Sequence, residues 1–229
     1  MNYSRIQRLL PRFLSRYVRY FEASTQDAVS EFAGRLAGRA MVLDAGAGET
    51  VYARFFSRQR YCAVDLGVGN AAWDYGNLDA VADLARLPFR DGSFDACLNV
   101  VTLEHVREPA AVLAELRRVL KPSGRLLLIV PQEWEVHQAP HDYYRYTRFG
   151  VEYLLGKSGF EVSEIRPVGG YFRLLARRLL NGLQFFPGVF FFLAALFLVP
   201  PALVLPWIDW LDRERNFTLG YICSARPRS

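Results

Sequence analysis

The sequence predicts an α/β domain built on a parallel sheet, and three features carry that reading. Apolar runs without polar alternation recur at 40–43, 61–64, 94–101 and 125–130, as expected of central strands covered on both faces. Helical patterns separate the later runs, so strands and helices alternate. The first run leads into Asp44-Ala45-Gly46-Ala47-Gly48-Glu49-Thr50, where two glycines allow a tight turn and close approach of a ligand.

Taken in order, residues 5–21 form a basic amphipathic pattern. Arg5, Arg8, Arg12, Arg16 and Arg19 share one side of a helix, and Ile6, Leu10, Phe13, Leu14, Tyr17 and Phe21 the other. Two readings stay open: a solvated face of a packed helix, or a contact with anionic lipid. Residues 26–38 read as a second helix stopped by Gly38. After the first strand and its turn, a helix is expected to begin near Thr50, pointing free N–H groups at whatever occupies the turn. Asp65 ends the second strand, where a carboxylate can receive the ribose hydroxyls of a nucleotide. The third glycine of a dinucleotide fingerprint is replaced by Thr50, so a ligand-free turn is the competing reading of these residues.

A loop follows to Gly76, then a short strand at 80–82 closed by Asp83. Arg90-Asp91-Gly92-Ser93 is a turn into the strand at 94–101. Pro109 suits the first turn of a helix whose Val112, Leu116, Val119 and Leu120 share one face. Lys121-Pro122-Ser123-Gly124 ends that helix before the strand at 125–130.

The chain has 229 residues, enough for one large domain or one domain with an extension. It is 52% hydrophobic with the excess near the C-terminus, and its net charge is +5. Cys62, Cys97 and Cys223 lack metal spacing and read as reduced core thiols. Arginine interrupts the N-terminal apolar residues too often for a signal core, so the cytoplasm is the expected compartment. Nucleic acid is not an expected partner, since no stacking platform accompanies the arginines.

The stretch 42–131 resembles class I S-adenosylmethionine-dependent methyltransferases of the type-11 group. The resemblance rests on Leu43-Asp44-x-Gly46-x-Gly48, Asp65, Asp83 before Leu87-Pro88-Phe89, Phe94-Asp95, Leu103-Glu104-His105-Val106, and Arg118-Val119-Leu120-Lys121-Pro122-x-Gly124. His141-Asp142-Tyr143-Tyr144-Arg145-Tyr146-Thr147, then Ser158-Gly159-Phe160, resembles one bacterial branch of the group. It implies a Rossmann-like seven-stranded sheet, with an N-terminal amphipathic helix and a hydrophobic helical insertion before the last strand. The implied limits are 1–38 for the N-terminal helical segment and 39–229 for the methyltransferase domain, with the insertion at 171–215.

It also implies roles. Asp44, Gly46 and Gly48 would hold the methionine part of S-adenosylmethionine, and Asp65 its ribose. Asp83 and Leu84 would sit at the adenine, and Asn99 where the donor methyl enters. Candidates for removing a proton from the acceptor are His137, His141 and Asp142, in the loop after the fifth strand; His105 reads more readily as an orienting residue. Packing of that loop without chemistry is the competing reading. Some ubiquinone-pathway O-methyltransferases bind a divalent cation through a Glu-His pair and a second Glu three residues earlier. That position is Val101 here, and Glu104 with His105 alone are too few ligands, so no metal is expected.

The expected acceptor is a small molecule, free or lipid-linked, met at the membrane surface. A soluble sugar or cell-surface glycan intermediate is one alternative, and a non-catalytic membrane-associated binding protein is another. Residues 185–208 carry no charge, but Pro187, Pro200, Pro201 and Pro206 are expected to break the helix and leave 189–199 as the longest stretch. Eleven residues reach only about 16 Å, so a hairpin dipping into one leaflet is expected rather than a span. Segment 183–206 and the N-terminal arginines would then contact the inner face of the plasma membrane. Arg173, Arg177, Arg178, Arg213 and Arg215 flank the run and could meet headgroups. A homodimer through the same apolar surface is the alternative.

Overall fold

The computed structural model describes residues 16–69 and 72–228; the predicted amphipathic pattern at 5–21 lies mostly outside them. Seven strands form one sheet: β1 (Met41–Ala45), β2 (Arg60–Asp65), β3 (Ala80–Val81), β4 (Phe94–Val100), β5 (Leu120–Pro131), β6 (Phe160–Pro167) and β7 (Gly220–Pro227), in the order β3-β2-β1-β4-β5-β7-β6. The pairs from β3 to β5 are parallel. β7 runs antiparallel to β5, with Leu126 opposite Ala225 and Pro131 opposite Gly220.

The central strands are buried on both faces, which is why they read as unbroken apolar runs. Leu43, Cys97, Leu98, Leu126 and Leu128 are fully covered. Helix α1 (Tyr20–Gly34) precedes the sheet, α2 (Pro109–Val119) connects β4 to β5, and α3 (Arg148–Lys157) leads into β6. Pro109 opens α2 as its spacing predicts, and Val112, Leu113, Leu116 and Val119 join the sheet core. Thr147 caps α3 by accepting from the Gly150 N–H at 3.1 Å.

Three boundaries differ from expectation. α1 runs without a break from Tyr20 to Gly34, across the expected gap between two helices. No α-helix follows the glycine turn; a 3-10 turn at Ala53–Phe55 stands there, because only a few residues separate the turn from the buried Phe56 and β2. β5 begins at Leu120 rather than 125, through a register shift against β4, and Lys121 pairs with Asp95 at 2.7 Å.

The described chain divides into two compact units. One contains 25–166 and 220–229; the other groups residues up to 24 with 167–219. The second unit holds α4 (Tyr171–Gly182) and α5 (Val189–Val204), then a 3-10 turn over Leu205–Leu211. α4 begins at Gly170, which offers no capping side chain. Two carboxylates from 3-10 residues and beyond cap it instead: Asp212 accepts from the Tyr171 N–H at 2.8 Å and Asp209 from the Arg173 N–H at 3.0 Å. Asp209 is 5% exposed and is balanced by Arg215 at 2.5 Å.

α5 continues through Pro200 and Pro201, against the expected break. Each proline removes one N–H that would bond back four residues, leaving the Leu196 and Phe197 carbonyls without that partner, but the helix propagates past them. Its 16 residues extend about 24 Å rather than 16 Å.

Leu128 is fully buried in β5 and opposes Asn99 of β4 and Cys223 of β7. Leu128→Ala should destabilise the sheet by about 2–5 kcal/mol. Denaturant unfolding should show a lower midpoint at an unchanged slope; a midpoint equal to wild type would contradict this packing.

Candidate active site

A cleft of about 1160 Å³, open solvent included, lies where β1, β2 and β4 end, and the turn after β1 forms its floor. Gly46 has φ 90° and Gly48 φ 50°. A Cβ on Gly46 would collide with Thr102, so only glycine fits. The Gly46 and Ala47 N–H groups both donate to the Val64 carbonyl, at 2.8 and 3.1 Å. Thr50 has φ 56° and donates its N–H to the Ala47 carbonyl at 2.8 Å. The threonine thus adopts the left-handed backbone that glycine would supply, and the turn keeps its shape at a cost in strain.

The structure brings Gly46, Gly48, Asp65, Asp83 and Leu84 to this cleft. Asp65 Oδ2 accepts from the Gly48 N–H at 3.0 Å and Oδ1 from the Gly67 N–H at 2.8 Å, which fixes the carboxylate at the end of β2. Asp83 holds its own turn by accepting from the Ala85 N–H at 2.9 Å. Two carboxylates against walls formed by Leu66, Val68, Trp73 and Val101 suit a ligand with hydroxyl and amino donors on a flat, partly apolar body.

Two predicted cofactor residues stand behind the cleft. Asp44 is 1% exposed and receives the Tyr61 hydroxyl, while its Oδ1 has no hydrogen-bond partner. Burial raises its pKa to about 7, with Tyr61 pulling it down and Asp65 pushing it up. Asn99 is fully buried and donates Nδ2 to the Ala45 carbonyl at 2.8 Å. It ties β4 to the end of β1 and is not among the residues that line the cleft, unlike the place at the donor methyl expected for it. The lining residues that follow are Val100, Val101 and Thr102. Val101 has φ 51°, a strained conformation for a β-branched residue and one that composition does not signal.

The loop after β5 folds back over 103–107. Tyr146 donates to the Leu103 carbonyl at 2.9 Å, the Tyr143 N–H to the Glu104 carbonyl at 2.9 Å, and Tyr144 to the Arg107 carbonyl at 2.9 Å. Arg145 grips Asp142 through two nitrogens, at 2.6 and 2.8 Å, and also reaches the Trp134 and Glu135 carbonyls. Asp142 further accepts from the His137 N–H at 2.8 Å. Arg145 chiefly holds its pKa down at about 2, so Asp142 anchors the loop and is a poor proton acceptor, contrary to the expectation for it. His141 lines the cleft and its Nδ1 lies 3.2 Å from the Tyr143 hydroxyl.

His137 lies behind the cleft wall against Glu104 and His105. The Nε2 atoms of His105 and His137 are 3.1 Å apart, and each is 3.7 Å from Glu104 Oε1. Burial lowers the His137 pKa, but the Glu104 charge, the Glu135 carbonyl and Asp142 outweigh it and the net shift is upward. Three potential ligand atoms therefore converge where the sequence shows only two adjacent ones.

The sequence profile of the methyltransferase domain family matches residues 43–128, the span from β1 through β5 that builds the cleft. Residues 43–128 carry the core of a methyltransferase domain. This domain's sheet is the Rossmann-like one of solved methyltransferases. It aligns with the 1,6-didemethyltoxoflavin-N1-methyltransferase of Burkholderia thailandensis, solved with S-adenosylhomocysteine, at 19% identity and a TM-score of 0.56, covering 95% of this chain and 86% of that one. It aligns equally with the [4+2]-cyclase SpnF, at 22% identity and a TM-score of 0.58, covering 90% and 80%. Among curated relatives, a ubiquinone biosynthesis O-methyltransferase of Nitrosococcus oceani is 26% identical over 158 residues, 57% of this chain and 66% of that one. The chain spans less than two thirds of the length of the first curated relatives it matches.

Asp44 gives a pH test of the methyltransferase domain. An unfolded chain releases this proton near pH 4. The folded domain keeps it until about pH 7, so the buried charge removes stability as pH rises from about 4 to about 7. Asp44→Asn should raise the Tm of cofactor-free protein at pH 8 and leave it near wild type at pH 4. An equal Tm difference at both pH values would show that Asp44 ionises normally.

Proposed function

We propose that this protein transfers the methyl group of S-adenosylmethionine to a small or lipid-linked acceptor at a membrane surface. One observation carries the transfer reading: Gly46, Gly48, Asp65 and Asp83 reach one cleft, in the order that the methyltransferase pattern requires. Bound S-adenosylmethionine supplies a sulfonium-activated methyl group. Asp65 receives the ribose hydroxyls, and Asp83 with the buried Leu84 frames the adenine. His141 faces the cleft and takes the acceptor's proton as the new bond forms. Catalysis otherwise comes from holding nucleophile and methyl carbon in line. Thr50 lends little to a non-catalytic reading, since it preserves the turn.

Incubating the protein with labelled cofactor and a membrane extract should yield a methylated product by mass spectrometry. Asp65→Ala should weaken cofactor binding by about 1–3 kcal/mol, the scale of lost hydrogen bonds to a charged group. His141→Ala should lower turnover at unchanged cofactor affinity. Calorimetry that detects no cofactor binding to wild type would end the reading.

The membrane part rests on 189–211. This 23-residue stretch is apolar and long enough to cross a bilayer, and 17% of its most apolar window is buried. Phe190, Phe197, Trp207 and Trp210 are among its exposed side chains, and tryptophans favour the interface. The segment that contains it is tied at residues 168 and 218–219: the Val168 N–H donates to Thr218 Oγ1 at 2.9 Å, and the Leu219 N–H donates to the Val168 carbonyl at 3.1 Å. An excursion that returns to its starting point favours a dip into one leaflet over a single crossing. Flanking arginines contribute less than the sequence suggests, because Arg173 and Arg215 pair with Asp209 and Arg177 with Glu22. The apolar area would therefore dominate, and attachment should survive salt. The Nitrosococcus relative is a ubiquinone biosynthesis enzyme, and that lends support to a hydrophobic acceptor.

Flotation with anionic liposomes should carry the wild-type protein at high salt, and replacing 183–206 by a short polar loop should release it with cofactor binding intact. A protein that never floats and runs as a stable dimer would assign the apolar surface to a second copy.

A further inference from the structure

We propose that Glu104, His105 and His137 form a binding site for one transition-metal dication of zinc's type, independent of the methyl-transfer reading. The proposal starts from an imbalance of charge. Glu104 is fully buried, yet neither carboxylate oxygen has a hydrogen-bond partner. An unpaired buried carboxylate is too costly to keep without a compensating positive charge. Among the described residues, the ring nitrogens within reach are the Nε2 atoms of His105 and His137, each 3.7 Å from Glu104 Oε1.

Both rings are held at Nδ1 so that the Nε2 atoms face Glu104 and each other. His105 Nδ1 lies 2.5 Å from the His141 carbonyl, and His137 Nδ1 lies 3.1 Å from the Glu135 carbonyl. A carbonyl only accepts, so each Nδ1 carries a proton, and the Nε2 of a neutral ring is the atom left to bind a cation. Arg145 Nη2 is 3.4 Å from His137 Nδ1, but that guanidinium is committed to Asp142 and to the same Glu135 carbonyl. Two ring nitrogens 3.1 Å apart and a carboxylate then face one another around one point. One cation resolves all three contacts at once.

The spacing suits a small tetrahedral ion. Ligands at about 2.0–2.1 Å around a tetrahedral centre stand roughly 3.3–3.4 Å from each other. The three separations here are 3.1, 3.7 and 3.7 Å, so small side-chain shifts close the site. Two imidazoles and one carboxylate are a set used by catalytic zinc, with a fourth position left open. Imidazole donors select against calcium and magnesium, which prefer all-oxygen sites. The two carbonyls on the Nδ1 atoms are the outer contacts that orient metal-binding histidines. Glu104 and His105 come from one 3-10 turn, Leu103–His105, and His137 from the loop stapled over it, so the ligands are positioned by the fold. The expectation of no metal counted only the two adjacent residues; the loop supplies the third. His105 also lines the cofactor cleft, which puts the ion at the border of the space left for the acceptor.

The test uses full-length protein without a histidine tag, stripped with a chelator and titrated with zinc chloride. One equivalent should bind, and cobalt chloride should give the visible d–d bands of a tetrahedral site. Loss of an outer partner alone weakens metal sites about 10–100-fold, so His137→Gln and Glu104→Gln should each weaken zinc binding by at least about 100-fold. Retained S-adenosylhomocysteine binding by His137→Gln would show that the variant is folded. Excess magnesium should not displace the zinc. Wild type that binds no zinc would show that the cluster is neutralised by a proton instead and overturn the proposal. Equal zinc affinity in wild type and both variants would place the metal elsewhere, for example on a cysteine, and overturn it as well.

Discussion

The antiparallel pairing of β7 with β5 is the constraint on which the sheet and the course of the chain depend. It covers the face of β5 that would otherwise be a sheet edge, with Leu126–Pro131 opposite Ala225–Gly220 in continuous register. At the far end of that ladder the Tyr221 hydroxyl donates to Gln132 at 2.7 Å, just where the loop over the cleft departs. The same pairing fixes where the chain must come back after β6, and so obliges everything between Pro167 and Gly220 to be a closed excursion.

The loop after β5 has a division of labour. Tyr144, Arg145 and Tyr146 donate to backbone carbonyls, Arg145 also grips Asp142, and the Tyr143 hydroxyl accepts from Arg107. They stitch 132–147 onto 103–107, and the effect is to hold three histidines in a small volume. His141 then faces the cleft, while His105 and His137 face Glu104. A segment that looks chemical by composition turns out to be mostly scaffold.

The central sheet was legible because burial on both faces leaves an unbroken apolar signature, and β1, β2 and β4 fall where those runs lie. The cleft carboxylates were legible because Asp65 and Asp83 sit at strand ends, which a parallel sheet gathers on one side. Asn99 misled because strand position does not reveal which way a side chain turns near a strand's end, and its amide serves the Ala45 carbonyl. Pro200 and Pro201 misled because a helix stop inferred from proline ignores how far apolar packing by Leu198, Val199 and Ala202 can carry a helix. The Glu104–His137 approach had no sequence signal: 33 positions separate the residues, and only the folded loop joins them. Thr50 and Val101 show the same limit for the backbone, since neither residue type favours the positive φ it adopts.

The clasp formed by Val168 with Thr218 and Leu219 has an evolutionary consequence. β6 and β7 are sheet neighbours, so the roughly fifty intervening residues occupy the place of an ordinary hairpin loop. Closing a loop whose ends are already fastened costs little more for a long segment than for a short one, about 0.6 kcal/mol per doubling of length. A lineage could therefore acquire, exchange or shed the apolar segment as a cassette while the catalytic sheet stayed the same. The surface on which such a protein works would then evolve separately from the reaction it performs.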